Sequence, residues 1–373
     1  MKESNNTLKK INISQKGKKS GKRNKGKIAL AVIGAVLLIT VCSTGIMFRE
    51  ELGIIRSIHP ISQGKNCYIM EVKSDYYFDK FLEAGGAHSD KEVSIFLTNC
   101  ISKGFYQVDV TNEGLSCSTI SAKKENNSHI WGRNYDWYGS VPIIVKCTPK
   151  EGYASIATCD FKNIIDSAET VPDNFINKML AIAAVYVPMD GINEAGLCVA
   201  DLEVNEGGML DIDTEKPDLT VTTAIRLLLN RAATVEEAVH LLQQYDIHAS
   251  GGISHHLSIS DAQGASASIE FVNGEITVVN TNCITNFNLA NKDTAAGGES
   301  AQKRYETLCA IYQKNNGILS EEDVKNALSQ VSQTEGTWTT QWSIVYQQDM
   351  QKVLYYFGGV FDEENTFSVD IIK

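Results

Sequence analysis

The sequence has six prolines in 373 residues, with no proline-rich linker and no internal repeat. That excludes a repeat array and a string of loosely tethered modules. It also lacks a glycine-rich phosphate loop and a G-x-S-x-G elbow, so neither a phosphate-cradling site nor a serine-elbow hydrolase is written in it. No metal-ligand cluster stands out. His255 and His256 are neighbours in a strand pattern, point to opposite faces and cannot share one ion. The acidic run Asp211-Ile212-Asp213-Thr214-Glu215 is without the glycine and distal glutamate of an EF-hand loop, and reads as a solvated loop. None of these patterns calls for a cofactor, and none is expected.

Basic residues are scarce beyond the start of the chain. Residues 1–27 hold ten of the 34 Lys and Arg and one of the 45 Asp and Glu, which leaves residues 49–373 with 24 basic against 44 acidic side chains. A body so acidic repels phosphate backbones, which argues against nucleic acid as a partner. Charge is absent altogether from Ile28 to Phe48, twenty-one residues long. At about 1.5 Å per residue a helix there reaches roughly 30 Å, the thickness of a bilayer core. The basic tail is expected to stay in the cytoplasm and everything after Arg49 to lie across the membrane. Apolar small residues in an A-x-A arrangement are missing behind the run, so an uncleaved signal anchor is expected, giving a single-pass protein of the cell membrane.

Nine cysteines (42, 67, 100, 117, 147, 159, 198, 283 and 309) are an odd number, and several sit in apolar runs, as in SIATCDF and GLCVADL. Most read as small buried hydrophobes rather than bridges. Cys67–Cys100 is the first pair to test for a bridge, since both lie in the short segment after the uncharged run.

Residues 49–116 read as a small, mainly helical segment. One helix is predicted around Tyr76–Leu82, stopping at Gly85-Gly86, and a second from the Ser89/Asp90 cap through EVSIFLTNCISKGF. From Cys117 onward short β-type runs dominate: CSTISA, HIWGRN, VPIIVKC, ASIATCDF and LCVADLEV. Helices are predicted at 220–230, after the capping box at Thr234–Glu237, at Ala301–Gln313 and from Ser320. Asn273-Gly274 joins SASIEFV to EITVVN in a hairpin, and QWSIVYQQDMQKVLYYF forms the last one. This order of elements is α+β, with two sheets packed together and helices outside.

The chemistry concentrates at Ser116-Cys117-Ser118-Thr119-Ile120-Ser121-Ala122 and Gly132-Arg133-Asn134-Tyr135-Asp136-Trp137. The two read as strands of one hairpin joined by KKENNS, which returns Arg133 and Asp136 to the side of Cys117. A thiol with an ordinary pKa near 8.5 needs a neighbouring cation to favour its thiolate, and an aspartate can hold an amine.

Those two motifs, together with Asp190-Gly191-Ile192-Asn193-Glu194-Ala195-Gly196-Leu197, resemble the choloylglycine hydrolase, or linear amide C–N hydrolase, family over about residues 117–360. Bile salt hydrolases and penicillin V acylases belong to that group, and acid ceramidase is a relative. The resemblance implies an N-terminal nucleophile fold, a four-layer αββα sandwich, with the cysteine made first in its chain by removal of what precedes it. It also implies a role for each matching position. Cys117 is the nucleophile, Arg133 supports its thiolate, Asp136 orients the new α-amine, Asn286 in Ile284-Thr285-Asn286-Phe287 donates to the oxyanion, and Arg304 opens a helix near the site. One position departs. Where bile salt hydrolases carry a further asparagine, this chain has Glu203, leaving a backbone N–H or Asn205 as the second donor.

The domains expected are therefore a basic tail at 1–27, an anchor at 28–48, a pre-segment or α chain at 49–116 and the amidase at 117–373. The expected substrates are small-molecule acyl amides: conjugated bile acids, N-acyl amino acids or fatty-acid amides. A penicillin V acylase and a catalytically inactive binding module of the same fold are the alternatives. Homo-oligomerisation is left open.

Overall fold

The computed structural model describes residues 43, 45–110, 116–165, 167, 169–204, 210–290 and 298–372. It divides into two units, Met1–Leu52 and Gly53–Lys373. Among the described residues no helix is long and apolar enough to cross a membrane. The basic tail lies outside the described residues, as does the predicted span from Ile28 to Phe48 apart from residues 43 and 45–48.

Before the Cys117 motif come α1 (Arg49–Ser57), β1 (His59–Pro60), β2 (Tyr68–Val72), α2 (Phe78–Glu83) and α3 (Asp90–Ile101). Next follow β3 (Ser116–Lys123), β4 (His129–Trp137), β5 (Pro142–Cys147), β6 (Ser155–Asp160), α4 (Phe175–Ala181), β7 (Asp190–Asn193) and β8 (Cys198–Val204). Then come β9 (Asp218–Thr220), α5 (Val221–Arg231), α6 (Val235–Leu242), β10 (Asp246–His248), β11 (Ser254–Ser260), β12 (Ser266–Val272), β13 (Glu275–Asn280) and β14 (Cys283–Ile284). The chain closes with α7 (Gly298–Lys314), α8 (Glu321–Gln330), β15 (Thr339–Gln347), β16 (Lys352–Phe357) and β17 (Phe367–Asp370).

The strands build a nine-stranded sheet in the order β1-β2-β5-β6-β7-β8-β11-β12-β13, a six-stranded sheet in the order β14-β3-β4-β15-β16-β17, and a two-stranded parallel pair β9-β10. Between the two large sheets lies an apolar layer in which Trp131, Tyr135, Trp342 and Ile344 of the smaller sheet meet Ile144, Ile156, Ile192 and Ala200 of the larger. Each strand contributes every second residue to it, as the pleat requires. The opposite residues face helices. Ile120, Ile130 and Val345 of the smaller sheet pack with Leu308 of α7 and Val324 and Leu328 of α8, while α5 lies against β7 and β8. The result is helix, sheet, sheet, helix.

Local sequence explains most of the elements. Ser320 and Asp323 form a reciprocal capping box ahead of α8. At α6, Thr234 accepts from the Glu237 N–H, but the Glu237 carboxylate reaches back one residue further, to the Ala233 N–H. Asn273 and Gly274 both have positive φ, 54° and 79°, as a tight hairpin turn demands.

Two expectations need correction. The segment before Cys117 is not simply helical: β2 lies inside the nine-stranded sheet, parallel to β5 from Tyr68↔Ile143 to Val72↔Cys147. A run as short as YIMEV carries too few residues for its period to separate strand from helix. The Cys67–Cys100 bridge is also absent. Cys67 is packed between the sheets and Cys100 lies on α3, with no disulfide between them.

Close packing of α8 on β4 depends on Gly132, where an added Cβ would stand 2.6 Å from Val324 Cγ1 and 3.1 Å from Leu328 Cδ1. Gly132→Ala is expected to cost about 1–3 kcal/mol through this overpacking. Urea unfolding followed by circular dichroism measures it, and an unchanged midpoint would refute the packing argument.

Candidate active site

β3 and β4 pair antiparallel with Ser116 opposite Asp136, Cys117 opposite Tyr135 and Thr119 opposite Arg133. Because side chains alternate, Cys117 and Arg133 both face the layer between the sheets, on diagonal positions of neighbouring strands. Arg133 Nη2 lies 3.2 Å from Cys117 Sγ and donates to the Asp201 carbonyl at 2.9 Å. Its Nη1 donates to the Met189 carbonyl and to Asp190 Oδ2, the latter at 2.5 Å. The Asp190 carboxylate accepts in addition from Trp342 Nε1 at 3.0 Å and Tyr346 Oη at 3.1 Å. Arg133 and Asp190 are both fully buried. The guanidinium is thus a buried cation fixed by one carboxylate and two carbonyls, with one of its N–H groups left for the thiol.

Asp136 and Ser118 face the other way, toward α7 and the loop after α8. Asp136 Oδ1 accepts from Thr340 Oγ1 at 2.6 Å, and Oδ2 accepts from Gln333 Nε2 at 2.8 Å. Thr340 reaches it through a β-bulge: β15 shifts register between Thr340 and Trp342, which sit opposite the adjacent residues Asp136 and Tyr135. In regular pairing two residues spaced by two share a face. The bulge instead sends Thr340 outward to the aspartate and Trp342 inward, stacked on Tyr135 at 3.7 Å and 7°.

Arg304 projects from α7 and is also buried. Nη1 donates to the Cys117 carbonyl at 2.5 Å and to Ser118 Oγ at 2.6 Å, and Nη2 to Ser116 Oγ at 2.9 Å and Asn286 Oδ1 at 3.0 Å. It thereby grips three consecutive residues around the thiol. Its distance to Asp136 Oδ2 is 3.8 Å.

The Cys117 backbone N–H donates to Asn286 Oδ1 at 2.7 Å, while Asn286 Nδ2 donates to the Glu203 carbonyl at 2.9 Å. This differs from the oxyanion-donor role that the resemblance implies for Asn286. Donors from Cys117, Arg304 and Ser116 converge on its oxygen, which leaves the amide NH₂ to the Glu203 carbonyl. Glu203 enters through its main chain, and Asn205 lies outside the described residues.

The electrostatics follow from burial. Desolvation pushes the Cys117 thiol up to about 11, against the pull of Arg133 in the opposite direction. Burial likewise raises Asp136, opposed by Arg304, Thr340 and Gln333, and lowers Arg304, opposed by Asp136. The thiol is therefore held protonated, beside a cation that stabilises its ionised form.

All five residues marked in the sequence lie in this one cluster. Asp190, Gln333 and Thr340 were not assigned roles there. Asp190 belongs to a motif already visible, whereas Gln333 and Thr340 are far along the chain and no spacing announces them. His255 and His256 do face apart. His255 Nδ1 meets Asp201 Oδ1 at 2.8 Å, and His256 Nδ1 is 3.3 Å from Ser268 Oγ.

Removing the counter-charge of a buried cation is costly, so Asp190→Asn is expected to lose about 3–5 kcal/mol in urea unfolding; a loss below about 1 kcal/mol would show that Arg133 is held by its carbonyl partners alone. His255 is buried, which disfavours its cation, but Asp201 outweighs this and raises its pKa overall. Stability from a raised histidine is full below its unfolded value of about 6.5 and fades as pH rises through the folded one. Asp201→Asn should therefore destabilise the protein more at pH 5.5 than at pH 8.5, as read by thermal unfolding at both; an equal loss would contradict the pairing.

Comparison with known proteins bears on what this cluster does. Residues 117–291 match the sequence model of the linear amide C–N hydrolases, choloylglycine hydrolase family. None of the curated proteins matches the chain in sequence. Among solved structures the chain is similar to penicillin V acylase from Agrobacterium tumefaciens, with a TM-score of 0.48 and 19% identity over 69% of this chain and 87% of that one. It is similar also to a mutant of the conjugated bile acid hydrolase from Clostridium perfringens, with a TM-score of 0.49 and 17% identity over 68% of this chain and 92% of that one. Residues 117–291, just under half of the chain, thus carry the match to the choloylglycine hydrolase family of linear amide C–N hydrolases, and with it the character of an amidohydrolase of linear amides.

Proposed function

We propose that the chain cuts itself between Ser116 and Cys117, and that the exposed N-terminal cysteine then hydrolyses small N-acyl amides on the outer side of a membrane. The observation that carries this is the 3.2 Å contact of Arg133 Nη2 with Cys117 Sγ, at a residue whose own N–H is held by Asn286. The layered order of helix, sheet, sheet, helix agrees with the N-terminal nucleophile fold that the sequence resemblance implies.

In the first step Cys117 Sγ attacks the Ser116 carbonyl carbon. The C–N bond breaks with a proton passing to the Cys117 nitrogen, and the Ser116 acyl group moves to sulfur as a thioester. Water hydrolyses the thioester, freeing the Ser116 carboxylate and the thiol. The new α-amine, with an ordinary pKa of about 8, is then the general base for that thiol. Asp136, raised on the outer face beside Thr340 and Gln333, orients the segment that bears it. The thiolate attacks the substrate carbonyl; the amine product leaves with a proton, and water releases the acyl group.

The oxyanion is held by backbone N–H groups and by Asn286 Nδ2 once it lets go of the Glu203 carbonyl; each such donor contributes about 3 kcal/mol. Cys117 is fully buried in the unbroken chain, so substrate reaches it only after Ser116 is displaced. The uncharged stretch from Ile28 to Phe48 anchors the enzyme, with the amidase on the extracytoplasmic side.

Intact-mass measurement of chain made by cell-free synthesis tests the cut. A fragment beginning at Cys117 is expected, with none from Cys117→Ala; cleavage persisting in that variant would assign the cut to an outside protease. Because the uncut thiol sits at about 11, its ionised fraction and the cutting rate should rise roughly tenfold per unit between pH 6 and 9. A flat profile would rule out the thiolate as attacker. A panel of N-acyl amino acids, bile-acid conjugates, penicillin V and N-acylethanolamines then defines the substrate, and hydrolysis of none would refute the acyl-amide reading.

A further inference from the structure

A second cluster of side chains lies away from Cys117 and takes no part in its chemistry. Residues 85–87 run alongside β9: Asp218 N–H donates to the Gly85 carbonyl at 2.9 Å and Ala87 N–H to the Asp218 carbonyl at 3.0 Å. Gly86 is required there, since its φ is +77° and a Cβ would stand 1.8 Å from the Asp218 carbonyl oxygen. This pairing delivers His88 beside His248, the last residue of β10, with ring centroids 3.9 Å apart. Asp211 forms a β-bridge to His248 from the other direction. The acidic run that reads in the sequence as a solvated loop thus places its first carboxylate between two histidines.

His248 is the informative residue. It is buried, its Nδ1 lies 2.9 Å from Asp211 Oδ1, and its Nε2 lies 2.9 Å from Asp218 Oδ1. A neutral imidazole has one N–H. With that N–H given to Asp218, the Nδ1 lone pair faces a carboxylate oxygen, and only a cation between them, a proton or a metal ion, satisfies both. His88 Nε2 is 3.6 Å from the same Asp211 oxygen, and the ligand atoms of His88, Asp211 and His248 all lie within 4.8 Å of one another. Tetrahedral zinc with ligands at about 2.0–2.1 Å sets them roughly 3.3 Å apart, which the separations of 2.9 and 3.6 Å bracket. A carboxylate on the far nitrogen is the usual way a metal-binding histidine is oriented. Beyond the three side chains lies an open cavity of about 480 Å³, lined also by Ser89 and Lys91, with room for water in a fourth position.

We propose that His88, Asp211 and His248 bind a zinc-type divalent transition-metal ion, with Asp218 orienting His248. His88 comes from before Cys117 and the other ligands from after it. Resting on the cleavage proposed above, the ion would then clamp the two pieces of the cut chain.

The full chain carrying Cys117→Ala, which stays whole, separates this site from the cleavage. Stripped with a chelator and titrated with Zn²⁺, it should take up one equivalent, and Co²⁺ in its place should give the intense visible bands of a four-coordinate site. His88→Ala, at a half-exposed position, should weaken binding at least tenfold, and Asp218→Asn by about 10–100-fold, with circular dichroism unchanged. Failure to bind one equivalent, or equal affinity in His88→Ala, would overturn the site whether or not the native chain cuts itself. In the cut chain, chelation should speed release of the upstream fragment in mild urea. An unchanged release rate would overturn the clamp.

Discussion

The site depends on one buried cation. Arg133 lies between two sheets with no access to water, where a lone guanidinium is strongly disfavoured. Asp190 neutralises it, and Trp342 and Tyr346 hold Asp190, so the carboxylate and its partners form a rigid socket contributed by both sheets. One N–H of Nη2 points at Cys117. A floppy cation would offer the sulfur little, because reorganisation would cancel the attraction; a fixed one supplies it in advance.

The two faces of the smaller sheet divide the work. Cys117 and Arg133 look into the apolar layer, whereas Asp136, Ser118 and Arg304 meet on the helical side. Only the backbone of the strand's first residues connects these environments, and Arg304 holds that backbone by the Cys117 carbonyl and the hydroxyls on either side. The bulge at Thr340–Trp342 serves both faces at once, supporting the aspartate on one and the Asp190 socket on the other.

Much of this was legible in the sequence because it is local. The hairpin joining CSTISA to HIWGRN, the Asn273-Gly274 turn and the cap at Ser320 are each set by a few neighbouring residues, and each forms as read. The α+β order follows from them. What could not be read involves partners remote in sequence. Nothing near Asp136 announces Gln333 or Thr340, and nothing near Asp211 announces His88. The direction of the Asn286 amide was hidden for a related reason: it is decided by which donors converge on its oxygen, and one of them arrives on a different helix. β2 was missed because a five-residue apolar run has no period to measure.

The place of β2 has a consequence for how the molecule comes apart and reassembles. As one chain, the strand finds its slot beside β5 in a unimolecular search, since both belong to the same polymer. Sever the chain at Cys117 and that search becomes an encounter between two molecules, so reassembly turns second-order and slows with dilution. A chain severed there would be held in its shape by how slowly it opens rather than by how readily it refolds.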